Sequence, residues 1–137
     1  MVDPQLRKQV RKWFYFYKTL LAIPKYWHVS VKIDEKIKIY AQVLYDYQDK
    51  KFDITINPKL NQDLPTLKDS ILHELIHVLF TPATTRLELL LSKLECGEKV
   101  NFKKAKKNML SYEEAIVSQL AKVIIKQEES KWLRTKS

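Results

Sequence analysis

Hydrophobic residues between positions 5 and 22 recur every three to four residues. Leu6, Val10, Trp13, Phe14, Tyr17 and Leu21 fall on one helical face, while Arg7, Lys8, Arg11, Lys12 and Lys18 fall mostly on the other. The helix this predicts ends before Pro24, because the residue ahead of a proline is pushed out of the helical region. From 27 to 57 the spacing changes to two. "WHVSVKID" and "KFDITIN" alternate, and "IKIYAQVLY" is rich in β-branched and aromatic residues, which predicts three strands. "DYQDKK" at 46–51 has the composition of a hairpin turn, and "NPKLNQDLP" at 57–65 that of a loop.

Helical spacing returns at Thr66, where a T-x-x-D capping box with Asp69 is expected to start a helix. Leu72, Leu75, Ile76 and Leu79 form its apolar stripe, and Pro82 is expected to stop it at about Phe80. Residues 84–95 form a further helical stretch, followed by a basic loop with the only glycine, Gly97. Ser111 is expected to open a last helix, "SYEEAIVSQLAKVIIKQEE", with a flexible tail from about residue 128. The element order gives an α+β class: an N-terminal helix, a small three-stranded mainly antiparallel sheet, a mid-chain helix and a C-terminal helix. At 137 residues the chain is expected to form one domain over 1–137.

The mid-chain helix carries "SILHELIHVLF" at 70–80, which contains H-E-x-x-H. On a helix, His73 and His77 project from one face four residues apart, so that both ring nitrogens can reach one ion. Glu74 lies beside them. In this arrangement two imidazoles hold zinc, and the glutamate takes a proton from the water on the metal. The pentapeptide fixes only three positions, but it uses two of the three histidines in the chain.

Composition narrows the setting. Hydrophobic residues at 45% and charged residues at 30% indicate a folded, soluble protein, and no apolar run is long enough for a membrane helix. The start "LRKQVRKWFYFYKTLLAI" faintly imitates a signal peptide, but Lys18 interrupts its apolar part, and the stretch reads as a helix of the folded protein. A lone cysteine, Cys96, needs no oxidising compartment, so the expected location is cytoplasmic. The net charge of +9 and the basic stretch "EKVNFKKAKKN" at 98–108 raise a second function class, a binding module contacting nucleic acid or an acidic partner. Lysine supplies 21 of the 25 basic residues, spread along the chain, which favours a solvated surface over a nucleic-acid reader.

Catalytic zinc takes three protein ligands and keeps a fourth position for water. A metzincin continuation would need glycine at 80 and histidine at 83, where the chain has Phe80 and Ala83. No histidine or aspartate follows His77, and His28 falls on a predicted strand, so the third ligand is sought among Glu88, Glu95, Glu98, Glu113, Glu114, Glu128 and Glu129. Cys96 is a weaker candidate. Ile116, Val117, Leu120 and Ile124 define the apolar side of the last helix, and Glu113 projects near its middle, where a carboxylate needs a partner. Glu114 lies at the margin, three residues after Ser111, where a capping-box role would account for it. Either glutamate can complete the set, with Glu113 favoured.

With "HELIH" at 73–77 and a glutamate helix "YEEAIVSQLA" at 112–121, the chain resembles the gluzincin metallopeptidases, and in its brevity the minigluzincins and small phage metallopeptidase domains. The resemblance spans most of the chain, though only the pentapeptide is specific. It implies a minimal zincin-like fold, with Zn2+ on His73, His77 and Glu113 or Glu114 and with Glu74 as general base and proton shuttle. It also implies an extended peptide or protein substrate added to an edge strand from within 37–47 or 52–57. Arg86 and Tyr112 are candidates for holding the oxyanion. Such domains can be latent, and the tail "KQEESKWLRTKS" is a segment that could cover the metal.

Overall fold

The computed structural model describes residues 3–94 and 102–136. Helix α1 spans Pro4–Leu20. Asp3 caps it by accepting the Gln5 amide at 3.0 Å, and Pro4 sits in the first turn, where its missing N–H costs nothing. The predicted face is the buried one: Val10, Phe14 and Tyr17 are in the core, with Leu6, Trp13 and Leu21 packed against it.

The three strands are β1, His28–Ile33, β2, Ala41–Asp46, and β3, Lys51–Ile56. β2 and β3 form the expected antiparallel hairpin. The Asp46 carboxylate accepts the amides of Gln48 and Asp49 at 3.0 and 3.2 Å, which closes the turn. β1, however, pairs parallel to β3, so the sheet is mixed, in the order β1-β3-β2, and not mainly antiparallel. The reason lies in residues 34–40, which cross over the end of β3 and are held there by Asp34 N–H to the Ile56 carbonyl and Asn57 N–H to the Tyr40 carbonyl, both 3.0 Å. β3 is thus the central strand, with Phe52, Ile54 and Ile56 in the core. Of the two segments expected to offer an edge, 52–57 is central; β2, within 37–47, is an edge strand among the described residues.

Helix α2 runs unbroken over Leu64–Leu94. Its cap is Asp63, not Thr66: the Thr66 amide and hydroxyl both donate to the Asp63 carboxylate, at 3.0 and 2.7 Å. Pro82 does not stop it. A proline inside a helix forfeits a hydrogen bond and crowds the preceding turn, at a cost of ~3 kcal/mol. Here the Thr81 hydroxyl donates to the carbonyl of His77 at 2.7 Å, the Thr84 hydroxyl lies 3.1 Å from the Phe80 carbonyl, and α2 keeps its packing against the last helix. The expected short helix and the stretch from 84 are therefore one element. Leu72, Leu75 and Ile76 are buried as expected, together with Leu67, Ile71 and Val78, but Leu79 is exposed.

Helix α3 spans Phe102–Lys136. Ser111 lies inside it and opens nothing, so the capping-box role for Glu114 disappears. The helix also continues through 128, where a tail was expected to begin. Its buried line is Val117 and Ala121 with Ile124 and Ile125 partly covered, whereas Ile116 and Leu120 are exposed. α1 packs on β1, α2 on β2, β3 and α1, and α3 on α2. Glu128 fastens the three helices, accepting the Tyr17 hydroxyl and the Lys68 ammonium, each at 2.8 Å. The Lys68 ammonium also lies 4.2 Å from the centre of a Trp13 ring. Among the described residues no helix is long and apolar enough to cross a membrane.

Candidate metal centre

His73, Glu74 and His77 lie on consecutive turns of α2, and the helix presents both imidazoles toward α3, at ring centres 5.0 Å apart. Glu114 reaches across to both. Its Oε1 lies 2.6 Å from His73 Nε2 and its Oε2 lies 2.8 Å from His77 Nε2. Among the described residues, His73, His77 and Glu114 are the group able to hold a metal ion, with one ligand atom from each inside 4.8 Å. Two imidazole nitrogens and a carboxylate oxygen suit a divalent transition metal. Tetrahedral zinc, with bonds near ~2.1 Å, would hold its ligand atoms roughly 3.3 Å apart, somewhat farther than the carboxylate oxygens now lie from the two Nε2 atoms. The donor set therefore fits an ion after a small outward movement of an exposed carboxylate.

Glu113, favoured from the sequence, takes a different place. It extends the buried line of α3 by one turn, its side chain is 10% exposed, and its Oε1 accepts the Thr84 hydroxyl at 3.1 Å. Its Oε2 lies 3.8 Å from His77 Nδ1, the ring nitrogen that faces away from Glu114. The structure thus brings Glu114, not Glu113, to the two Nε2 atoms. Glu88 lies 3.9 Å from Lys106, Glu128 is held by Tyr17 and Lys68, and His28 is an exposed residue at the start of β1. Glu95, Cys96 and Glu98 lie outside the described residues, as does the loop around Gly97.

Glu74 is buried, 8% exposed. Burial, reinforced by the nearby Glu114 carboxylate, raises its pKa to about 7. It faces a groove of about 910 Å3 whose lining includes Tyr40 and Gln42 from the β2 side, Asp69 and Thr81 from α2, and the two histidines. Among the described residues the groove lining contains Asp69, Glu74, Glu113 and Glu114 but no lysine or arginine, on a chain whose net charge is +9. A cation is favoured there and a phosphate backbone is not. Arg86 and Tyr112 do not line the groove, and neither does any of the residues 126–131 of the expected covering tail.

A buried polar network sets the distance between the groove's two walls. Asn61, fully buried, donates to the carbonyls of Tyr40 and Asn57 at 2.8 and 2.7 Å and accepts the Ser70 hydroxyl at 2.6 Å. The entry of β2 is thereby tied to α2, one turn before His73. Sequence reasoning missed this network, and it missed Thr84; the seven-residue spacing from His77 to Thr84 places both on one face, but only if the helix passes Pro82. Comparisons of the chain with family models, with curated proteins and with solved structures find no match.

Proposed function

We propose that the protein is a zinc metallopeptidase that holds its metal on His73, His77 and Glu114 and cleaves an extended peptide lying along β2. The observation that carries this reading is the convergence of those three ligand groups beside a buried glutamate, in an acidic groove flanked by an edge strand. Zinc bound there supplies a Lewis acid that polarises a carbonyl and acidifies water. Glu74 takes up a proton on its carboxylate and passes it to the departing amine. Its burial raises its proton affinity, a divalent cation beside it lowers it again, and the balance keeps the group able to do both near neutral pH. On its far side β2 is unpaired among the described strands, so its outward amides and carbonyls can register a substrate backbone by strand addition.

The test is metal analysis of the purified protein together with cleavage of a peptide library. Wild type should carry about one zinc per chain and hydrolyse peptides, in line with three protein ligands to a single ion. Glu74→Gln should keep the zinc and lose hydrolysis by about 10²- to 10⁴-fold. A wild type that takes up no zinc from excess metal would sink the reading. Zinc retained by the wild type without any hydrolysis would favour the binding module.

A further inference from the structure

Glu113 and Glu114 are neighbours on α3, yet they approach one imidazole from opposite sides. Glu114 meets His77 at Nε2 and Glu113 faces it at Nδ1. A histidine presents Nε2 to a metal well only when its other nitrogen keeps the proton and has an acceptor for it; otherwise the ring can rotate or adopt the wrong tautomer. Among the described residues, a carboxylate faces the second nitrogen of His77, that of Glu113. Glu113 is itself held, because the Thr84 hydroxyl donates to its Oε1 while that same hydroxyl lies within reach of the Phe80 carbonyl. A largely buried carboxylate is expensive unless its oxygens are occupied, and here one is bonded and the other points at an imidazole nitrogen.

We propose that Glu113 is a positioning residue: it accepts the Nδ1 proton of His77 and so aims Nε2 at the metal, while Thr84, beyond Pro82, fixes Glu113. The proposal rests on the metal-binding reading above. The present 3.8 Å is an ion-pair distance, and a hydrogen bond of about 3.0 Å is reached by a small rotation of the ring or the carboxylate. The passage of α2 through Pro82 acquires a purpose, since it carries Thr84 to the side of the site. Glu113 stands at Nδ1 and away from the two Nε2 atoms, so it acts on the metal through His77, and Thr84 acts through Glu113.

The experiment is a zinc-affinity titration against a chromophoric chelator, with nitrogen NMR of the histidine rings, on the full chain. Glu113→Ala should weaken zinc binding by roughly 10- to 100-fold. Glu113→Gln, whose amide oxygen still accepts a proton, should recover part of that loss, and Thr84→Val should show a smaller one. In the zinc form of the wild type, His77 should be protonated at Nδ1, and this signature should weaken in Glu113→Ala. Should Glu113→Ala fail to fold, as read by circular dichroism, Glu113→Gln and Thr84→Val carry the test. Affinities within twofold of wild type, or His77 unprotonated at Nδ1, overturn the proposal. Loss of zinc in Glu113→Ala with retention in Glu114→Ala also overturns it, by making Glu113 the ligand. A wild type without zinc overturns this inference and the proposed function together, whereas zinc binding indifferent to Glu113 overturns the inference alone.

Discussion

Two glutamates of α3, about four turns apart, each reach across to α2 and do opposite things there. Glu128, 22% exposed, meets the permanent charge of Lys68 and the hydroxyl of buried Tyr17. Glu114, 56% exposed, meets two imidazoles whose ring nitrogens can exchange a proton for a metal ion. Tyr17 shows how settled the first cluster is, since burial and the Glu128 carboxylate push its ionisation far up and keep it a hydrogen-bond donor. The second cluster is held by contacts that a cation can replace. A carboxylate with fixed partners fastens helices; a carboxylate with exchangeable partners is ready to bind.

The largest effect should come from Glu74, the buried acid that adds to the cost of the exchangeable end. In metal-free protein its folded-state pKa, about 7, lies above the ordinary 4.5. The unfolded chain then releases the proton first, so stability falls as pH rises from about 4.5 to 7 and stays flat above that, by an amount on the order of 3 kcal/mol. Glu74→Gln should remove this slope and leave the metal-free protein more stable at pH 8 than wild type. Urea unfolding with a chelator at pH 5 and pH 8 measures both, and a wild-type stability that rises over that interval would contradict the burial argument.

Next in size is the stabilisation by metal. Free zinc at a hundred times its dissociation constant should raise wild-type stability by ~2.7 kcal/mol, visible as a higher melting temperature. Glu128→Ala should keep this increment and Glu114→Ala should lose most of it. If both variants respond alike, the two ends of α3 are not distinct in the way described.

The smallest difference separates the glutamates without metal. Glu128→Ala leaves Lys68 and Tyr17 short of a partner in a partly buried setting and should cost about 2 kcal/mol. Glu114→Ala removes an exposed group and should cost under ~1 kcal/mol. Chelated samples in urea would give both values, and equal losses would erase the contrast.

Much of this was legible in the sequence, for physical reasons that can be named. The face of α1 and the β2–β3 hairpin follow from local spacing and turn chemistry, and "HELIH" from the period of a helix. What stayed hidden depended on whether local stop and start signals prevail over packing. Pro82 and Ser111 are ordinary punctuation, yet α2 and α3 run through them because each helix is the other's main support. Reading Ser111 as a cap gave Glu114 a bland role, and reading Pro82 as a stop detached Thr84 from the site. The parallel pairing of β1 was out of reach for another reason: alternation shows which face of a strand is buried, not which neighbour it takes or in which direction.

The crossing of residues 34–40 over β3 also has a kinetic consequence. β2 and β3 are joined by a tight turn and can zip together on the microsecond scale of hairpins, about 1–10 μs. β1 must wait, because among the described strands its partner is one that lies beyond β2 in the chain, and closing that larger loop has a greater entropic cost. Pulse-labelled hydrogen exchange during refolding should therefore protect the amides shared by β2 and β3 before those of β1. The wall along which a substrate would lie takes shape while the far side of the sheet is still open.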